Sequence, residues 1–130
     1  MTKKMENPKI IGNFGEKIGL EYLRKKGYKI LERNFKKKWG EIDIIGKKNG
    51  NLIFFEIKTL QQAQGKPFSP EDEINFKKKN QLRKMAQIYL SEKRISKNAP
   101  YQIDILSIVL NPAFKTAKIS HFENAIEDRC

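Results

Sequence analysis

The 130-residue sequence predicts one α/β domain over residues 1–130, a central mixed five-stranded sheet with a helix on either face, in the order αβββαββ. Three observations predict it. Two segments, 11–26 and 69–93, carry apolar residues at helical spacing. Asn49-Gly50 stands between two runs rich in Ile and Phe, and this dipeptide supplies the two positive-φ positions of a type I′ hairpin turn. The Ile and Phe runs around that turn, and the apolar stretch 101–110, suit a sheet covered on both sides.

Composition narrows the function. Hydrophobic residues make up 38% of the chain and charged residues 32%, which suits a folded domain with a charged surface rather than a disordered one. Lys and Arg number 27 against 15 Asp and Glu, and the net charge of +12 points to a polyanionic partner, nucleic acid ahead of an anionic membrane. No run approaches the roughly 20 apolar residues of a membrane span, and residues 1–10 do not lead into a signal-peptide apolar region. A protein without membrane contact is expected. One cysteine, Cys130, and one histidine, His121, argue against disulfides, Cys/His zinc sites and Cys–His catalysis within the chain. The cytoplasm is the default location, and His121 is expected at the surface or a strand end.

In the first helix, Ile11 to Lys26, residues Phe14, Ile18, Ile11, Tyr22, Gly15, Gly19, Leu23 and Leu20 fill one arc. Glu16 falls inside that arc. With Gly12 and Gly19 near it, the helix can approach the sheet closely and aim Glu16 at it. A buried carboxylate needs a donor or a metal; the alternative is a boundary residue that reaches water. Gly27 ends the helix, residues 28–35 form a first strand, and Lys36-Lys37-Lys38-Trp39 forms a basic loop with one ring. Such a loop can hold phosphate and stack on a base, or be merely solvated.

The hairpin follows. With Asn49 and Gly50 as loop residues, Lys48 pairs with Asn51, and counting outward sets Asp43 opposite Glu56 and Glu41 opposite Lys58, all on the face that carries Ile45 and Phe54. Opposed residues have Cβ atoms about 5 Å apart, and like charges there are destabilising. A divalent cation is the simplest compensation, because Mg²⁺ takes oxygen ligands. The alternative is a solvated face with a Glu41–Lys58 ion pair. Residues 59–69 are the one flexible stretch, placed to close over a substrate.

Ser69 as N-cap, Pro70 at N1 and Glu71-Asp72 in the first turn start the second helix, which runs to about Lys93. Its stripe is Ile74, Leu82, Met85 and Tyr89, flanked by Ala86. Lys78 sits within the stripe and Gln81 borders it, while Lys77, Lys79, Arg83 and Lys84 form a candidate phosphate-contacting face. Lys78 either serves the site or covers apolar surface with its stem. Strands at 101–110 and 117–122 complete the sheet, with a tail from Glu123 to Cys130.

Glu16, Asp43 in Gly-Glu-Ile-Asp, Glu56-Ile57-Lys58 and Lys78 together resemble the PD-(D/E)xK nuclease pattern. More closely, the chain resembles the YraN-like family of small bacterial proteins, predicted endonucleases related to archaeal Holliday-junction resolvases. The matching stretches are Gly15-Glu16, Gly27-Tyr28, Arg33-Asn34, Gly40 to Asp43, Phe55 to Lys58, and Lys78 to Leu90 with Ala86 and Tyr89-Leu90. Leu60 departs, standing where the family commonly places Arg. The resemblance implies a restriction-endonuclease-like three-layer α/β/α fold and metal-dependent hydrolysis of phosphodiester bonds, in DNA ahead of RNA, with branched or junction DNA as a candidate substrate. It implies Glu16, Asp43, Glu56 and Lys58 as catalytic residues, and Mg²⁺ or Mn²⁺ held by Asp43, Glu56, the Ile57 carbonyl and Glu16. Arg33, Lys37, Lys38, Trp39, Lys78 and Gln81 are the candidate nucleic-acid contacts. A two-fold dimer stays open. So does the alternative of a non-catalytic nucleic-acid-binding module of the same fold within a DNA- or RNA-processing complex, and a scaffold for another protein.

Overall fold

The computed structural model describes residues 7–61, 74–111 and 115–126. Helix α1 spans Pro8–Lys25. It starts three residues earlier than its apolar spacing predicts, because Asn7 caps it: Asn7 Oδ1 accepts from the Lys9 N–H at 2.9 Å and Pro8 occupies the first turn. Gly27, at φ +92°, ends it as expected.

Strands β1 (Lys29–Lys37), β2 (Gly40–Lys48) and β3 (Asn51–Gln61) form an antiparallel meander. Lys36 and Lys37 belong to β1, so the predicted basic loop shrinks to a two-residue turn, Lys38-Trp39. The Asn49-Gly50 turn is as predicted, with φ of +53° and +79°. Helix α2 (Phe76–Glu92) then crosses over to β4 (Tyr101–Asn111), which pairs parallel with β3, and β5 (Thr116–Phe122) returns antiparallel along β4. The parallel pair is what demands a helical crossover. The sheet order is β1-β2-β3-β4-β5, a mixed five-stranded sheet in the order αβββαββ.

Two boundaries differ from expectation. The second helix does not run unbroken from Ser69: Ile74 and Asn75 are non-helical, and Asn75 caps α2 by accepting from the Lys78 N–H at 2.9 Å. The Ser69-Pro70 start lies outside the described residues, as does most of the stretch 59–69, of which Thr59–Gln61 continue β3. Cys130 lies outside them too.

Each sheet face has its own core. Leu82, Met85, Ala86, Tyr89 and Leu90 of α2 pack on Phe35, Ile42, Ile45, Phe54, Ile103 and Ile105. Leu20 and Leu23 of α1 pack on Tyr28, Ile44, Ile53, Phe55 and Leu106. The layers are therefore helix, sheet, helix. Not all of the predicted apolar arc of α1 is covered: the arc placed Phe14 in the core, but Phe14 remains 46% exposed and Ile10 56%.

β2 breaks the pleat at the position that matters. Ile42 and Ile45, three residues apart, both face α2, whereas Ile44 faces α1. β1 does the same: Phe35 faces α2, and so does Glu32, whose Oε1 lies 3.5 Å from Lys93 Nζ at the end of α2. Between them Asn34 adopts φ +53°, a left-handed conformation that Asn tolerates better than most residues. The β1–β2 register runs unshifted through this switch of face, and its one irregularity lies nearer the start of β1, between Ile30 and Glu32.

Candidate active site

The β2–β3 ladder follows the predicted register from Lys48–Asn51 to Ile44–Phe55 and stops there. Beyond it, β2 stays paired with β1 through Ile42, Glu41 and Gly40, while β3 stays paired with β4 through Glu56 to Gln61. The sheet forks, and Asp43 and Glu56 stand at the fork. Asp43 and Glu56 do not form a ladder pair. Instead, Asp43 Oδ2 accepts from the Ile57 N–H at 2.7 Å, and the Glu56 carboxyl is near enough to act on Asp43. Glu41 takes Lys36 of β1 as its ladder partner rather than Lys58, which stands half-buried opposite Ser107 of β4.

A like charge beside a buried carboxyl disfavours its ionised form. Burial raises the Asp43 pKa most, the charge of Glu56 adds to it, the Ile57 N–H opposes, and Glu16 contributes further; the value moves from 3.8 to about 8. Glu16 is raised as well, first by burial, then by Glu41, with Arg33 opposing and Glu56 adding. Its Oε1 is buried and accepts no hydrogen bond, an expensive state for a carboxyl oxygen. Glu16, Glu41, Asp43 and Glu56 thus act on one another electrostatically. Among the described residues no three acidic, His or Cys side chains are close enough to form a ready-made metal cluster.

Close packing of α1 puts Glu16 there. A Cβ on Gly15 would overlap the Thr59 side chain of β3, and one on Gly19 would lie 3.0 Å from Ile57 Cδ1. Gly12 has nothing within 4 Å, so the glycines that bring the helix down on the sheet are Gly15 and Gly19, not Gly12 and Gly19.

The opposite layer supplies a cation. Lys78, the charged residue within the apolar stripe of α2, places Nζ 3.3 Å from Glu56 Oε2 and donates to Gln81 Oε1 at 3.2 Å. Gln81 Nε2 in turn donates to the Trp39 carbonyl at 2.8 Å. Lys78 and Gln81 are one helical turn apart, so a single face of α2 ties the acid pair to the β1–β2 turn. Of the other candidate nucleic-acid contacts, Arg33 is exposed and pairs with Ile44 across the ladder. The Lys37 ammonium lies 2.7 Å from Glu92, and Lys38 sits over the Trp39 ring.

His121 stands at a strand end, as one of the two expectations had it, next to last in β5, but not at the surface. It is largely buried, its ring packs near Tyr22, Tyr28 and Phe55, and Nε2 lies 2.7 Å from Asp104 Oδ2. Asp104 was not singled out, although a carboxyl in the apolar run Ile103-Asp104-Ile105 is itself a signal.

The raised Asp43 value has a consequence for the metal-free protein. The folded state keeps a proton up to about pH 8 that the unfolded chain loses near 3.8. Stability associated with the protonated pair is complete below about pH 3.8, declines as pH rises, and is gone above about 8. The melting temperature of the parent relative to Asp43→Asn is therefore expected to fall across that window in EDTA. Parallel profiles would show that the carboxyl pair carries no such proton.

Among the described residues no helix is long and apolar enough to cross a membrane. The family model described as "Uncharacterised protein family UPF0102" matches residues 15–108, a span that holds Glu16, Asp43, Glu56, Lys58 and Lys78. A UPF0102 protein of Clostridium botulinum strain 657 is 40% identical over 120 residues, covering 92% of this chain and 95% of its own length. A UPF0102 protein of Caldanaerobacter subterraneus is 40% identical over 124 residues, covering 94% and 98%. The chain belongs to the UPF0102 family, the YraN-like family that its sequence resembles.

Proposed function

We propose that this protein is a nuclease that hydrolyses phosphodiester bonds in DNA with the help of a divalent cation. The observation that carries the reading is the Asp43–Glu56 pair at the fork, two neighbouring carboxyls of which Asp43 is anchored on the Ile57 N–H, where a cation would offset the charge of both. The orphaned Glu16 Oε1 adds a third oxygen acceptor. This all-oxygen set suits Mg²⁺ or Mn²⁺ and not a softer metal. Asp43, Glu56, the Ile57 carbonyl and Glu16 would hold the ion, Glu16 directly or through water. When bound there, the ion supplies polarisation of a phosphodiester oxygen and a lowered pKa for an attacking water.

The chain's own groups do the rest. Asp43, kept in place by the Ile57 N–H, gives up its proton as the pair becomes a dianion. Lys78 offsets the charge of Glu56 and can turn to a phosphate beside the scissile bond. Lys58, two residues along β3, orients or deprotonates the attacking water, or counters charge developing on phosphate. The net charge of +12 draws a polyanion to these groups.

A panel of branched and linear DNA substrates with Mg²⁺ and Mn²⁺, run beside Glu56→Ala, tests the proposal. Cation-dependent cleavage by the parent alone supports it, with branched DNA expected to be cut in preference. Equal cleavage by both proteins would trace the activity to a contaminant.

A further inference from the structure

Trp39 is 45% exposed, which is unusual for so large an apolar ring, yet its backbone is firmly held. It occupies the second position of the two-residue turn between β1 and β2. Gln81 Nε2 grips its carbonyl at 2.8 Å, and the next residue, Gly40, fits only because it has no side chain: a Cβ there would lie 2.7 Å from Gln81 Cγ and Cδ. Two ammonium groups stand over the ring, Lys38 Nζ at 4.7 Å and Lys84 Nζ at 5.1 Å from its centre. Cation–π attraction holds such groups near an exposed ring only weakly, so both lysines are free to turn to an anion that arrives beside it. An exposed ring on a fixed mount, covered only by flexible lysine side chains that can swing to phosphate, has the makings of a base-stacking platform with phosphate clamps.

We propose that Trp39 stacks on an unpaired base, with Lys38 and Lys84 on the adjoining phosphates, so that the substrates of this protein are nucleic acids that carry unpaired nucleotides. This rests on the nucleic-acid part of the function proposed above and specifies its substrate class. Bases inside a duplex are already stacked on their neighbours and present only their edges, so an indole face can be used only where a base is free. The connection to the acidic pair is direct: Trp39 carbonyl to Gln81, Gln81 to Lys78, Lys78 to Glu56, in steps of 2.8, 3.2 and 3.3 Å. A base seated on Trp39 is thereby held in a fixed relation to the phosphate at Asp43 and Glu56. Gln81 acts as the positioning residue between them.

Trp39 is the only tryptophan of the chain, so its fluorescence reports the platform alone. The full chain in EDTA, which keeps substrates uncut, is titrated with oligothymidylate, with inorganic polyphosphate of matched charge, and with relaxed closed-circular duplex DNA, which has neither ends nor free bases. Quenching by oligothymidylate only is the expected result. Trp39→Leu is expected to weaken oligothymidylate binding, followed by anisotropy of the labelled oligomer, by roughly 5- to 150-fold. Its polyphosphate binding should be unchanged, and Trp39→Phe should restore most of the loss. Equal quenching by polyphosphate, or oligothymidylate binding by Trp39→Leu as tight as the parent's, would overturn the proposal. Because none of these readouts involves cleavage, quenching by a protein that cuts no DNA would remove the nuclease reading and leave the platform standing.

Discussion

Asp43→Ala and Glu56→Ala are each expected to lower cation-dependent DNA cleavage by about 10³-fold, the rate equivalent of about 4 kcal/mol and of the order that a cation contributes to charge stabilisation. DNA affinity should survive in both. The two carboxyls meet at the fork where β2 leaves β3, on backbone fixed by the outer ladders to β1 and β4, so truncating either leaves the basic surface intact. Removing Asp43 also frees the Ile57 N–H, and removing Glu56 leaves Lys78 Nζ without its carboxylate. Neither loss is expected to unfold the domain, because the apolar clusters on the two sheet faces do not include them. Steady-state cleavage and filter binding on the same preparations check both halves of the expectation.

Asp104→Ala is expected to have the largest effect on stability, a loss of about 3 kcal/mol in urea unfolding, the upper end for leaving a buried polar group without its partner. Asp104 is fully buried, at 0% exposure. Its Oδ1 accepts from Gln102 Nε2 and from the Asn124 N–H, each at 2.8 Å, and Oδ2 lies 2.7 Å from His121 Nε2. Truncation leaves the His121 ring, packed near Tyr22, Tyr28 and Phe55, without its partner and frees Gln102 and the Asn124 N–H as well. Because Asn124 is tied to β4 through Asp104 and its neighbour Ala125 through the Ile103 carbonyl, the residues after β5 should lose hydrogen-exchange protection first.

The sequence made some of this legible because the signals were local. Asn49-Gly50 imposes a turn whose two positive φ values set the register as far as Ile44–Phe55. Lys78 was visible as a charge on an apolar stripe, and it reaches Glu56. Other features depended on partners remote in sequence. Counting in twos from the turn assumes an unbroken pleat, and the break at Asp43 answers to Asn34 on the neighbouring strand, with φ +53°. The fork itself cannot be read from β2 and β3 alone, since it is β1 and β4 that hold the two strands apart. A lone histidine carries no local sign of burial; the residues that bury His121 come from α1, β3, β4 and the segment before β1. Asn75 and Ser69-Pro70 are both valid helix starts, and local chemistry does not choose between them.

Calorimetric titration of Mn²⁺ into the metal-free protein at pH 7, repeated in two buffers of different ionisation enthalpy, tests most directly whether the Asp43–Glu56 pair is a cation site. With Asp43 raised to about 8, binding is expected to release close to one proton, and both binding and release should disappear in Asp43→Asn and Glu56→Gln. Binding to these variants as tight as to the parent, or no binding to the parent, would contradict the account.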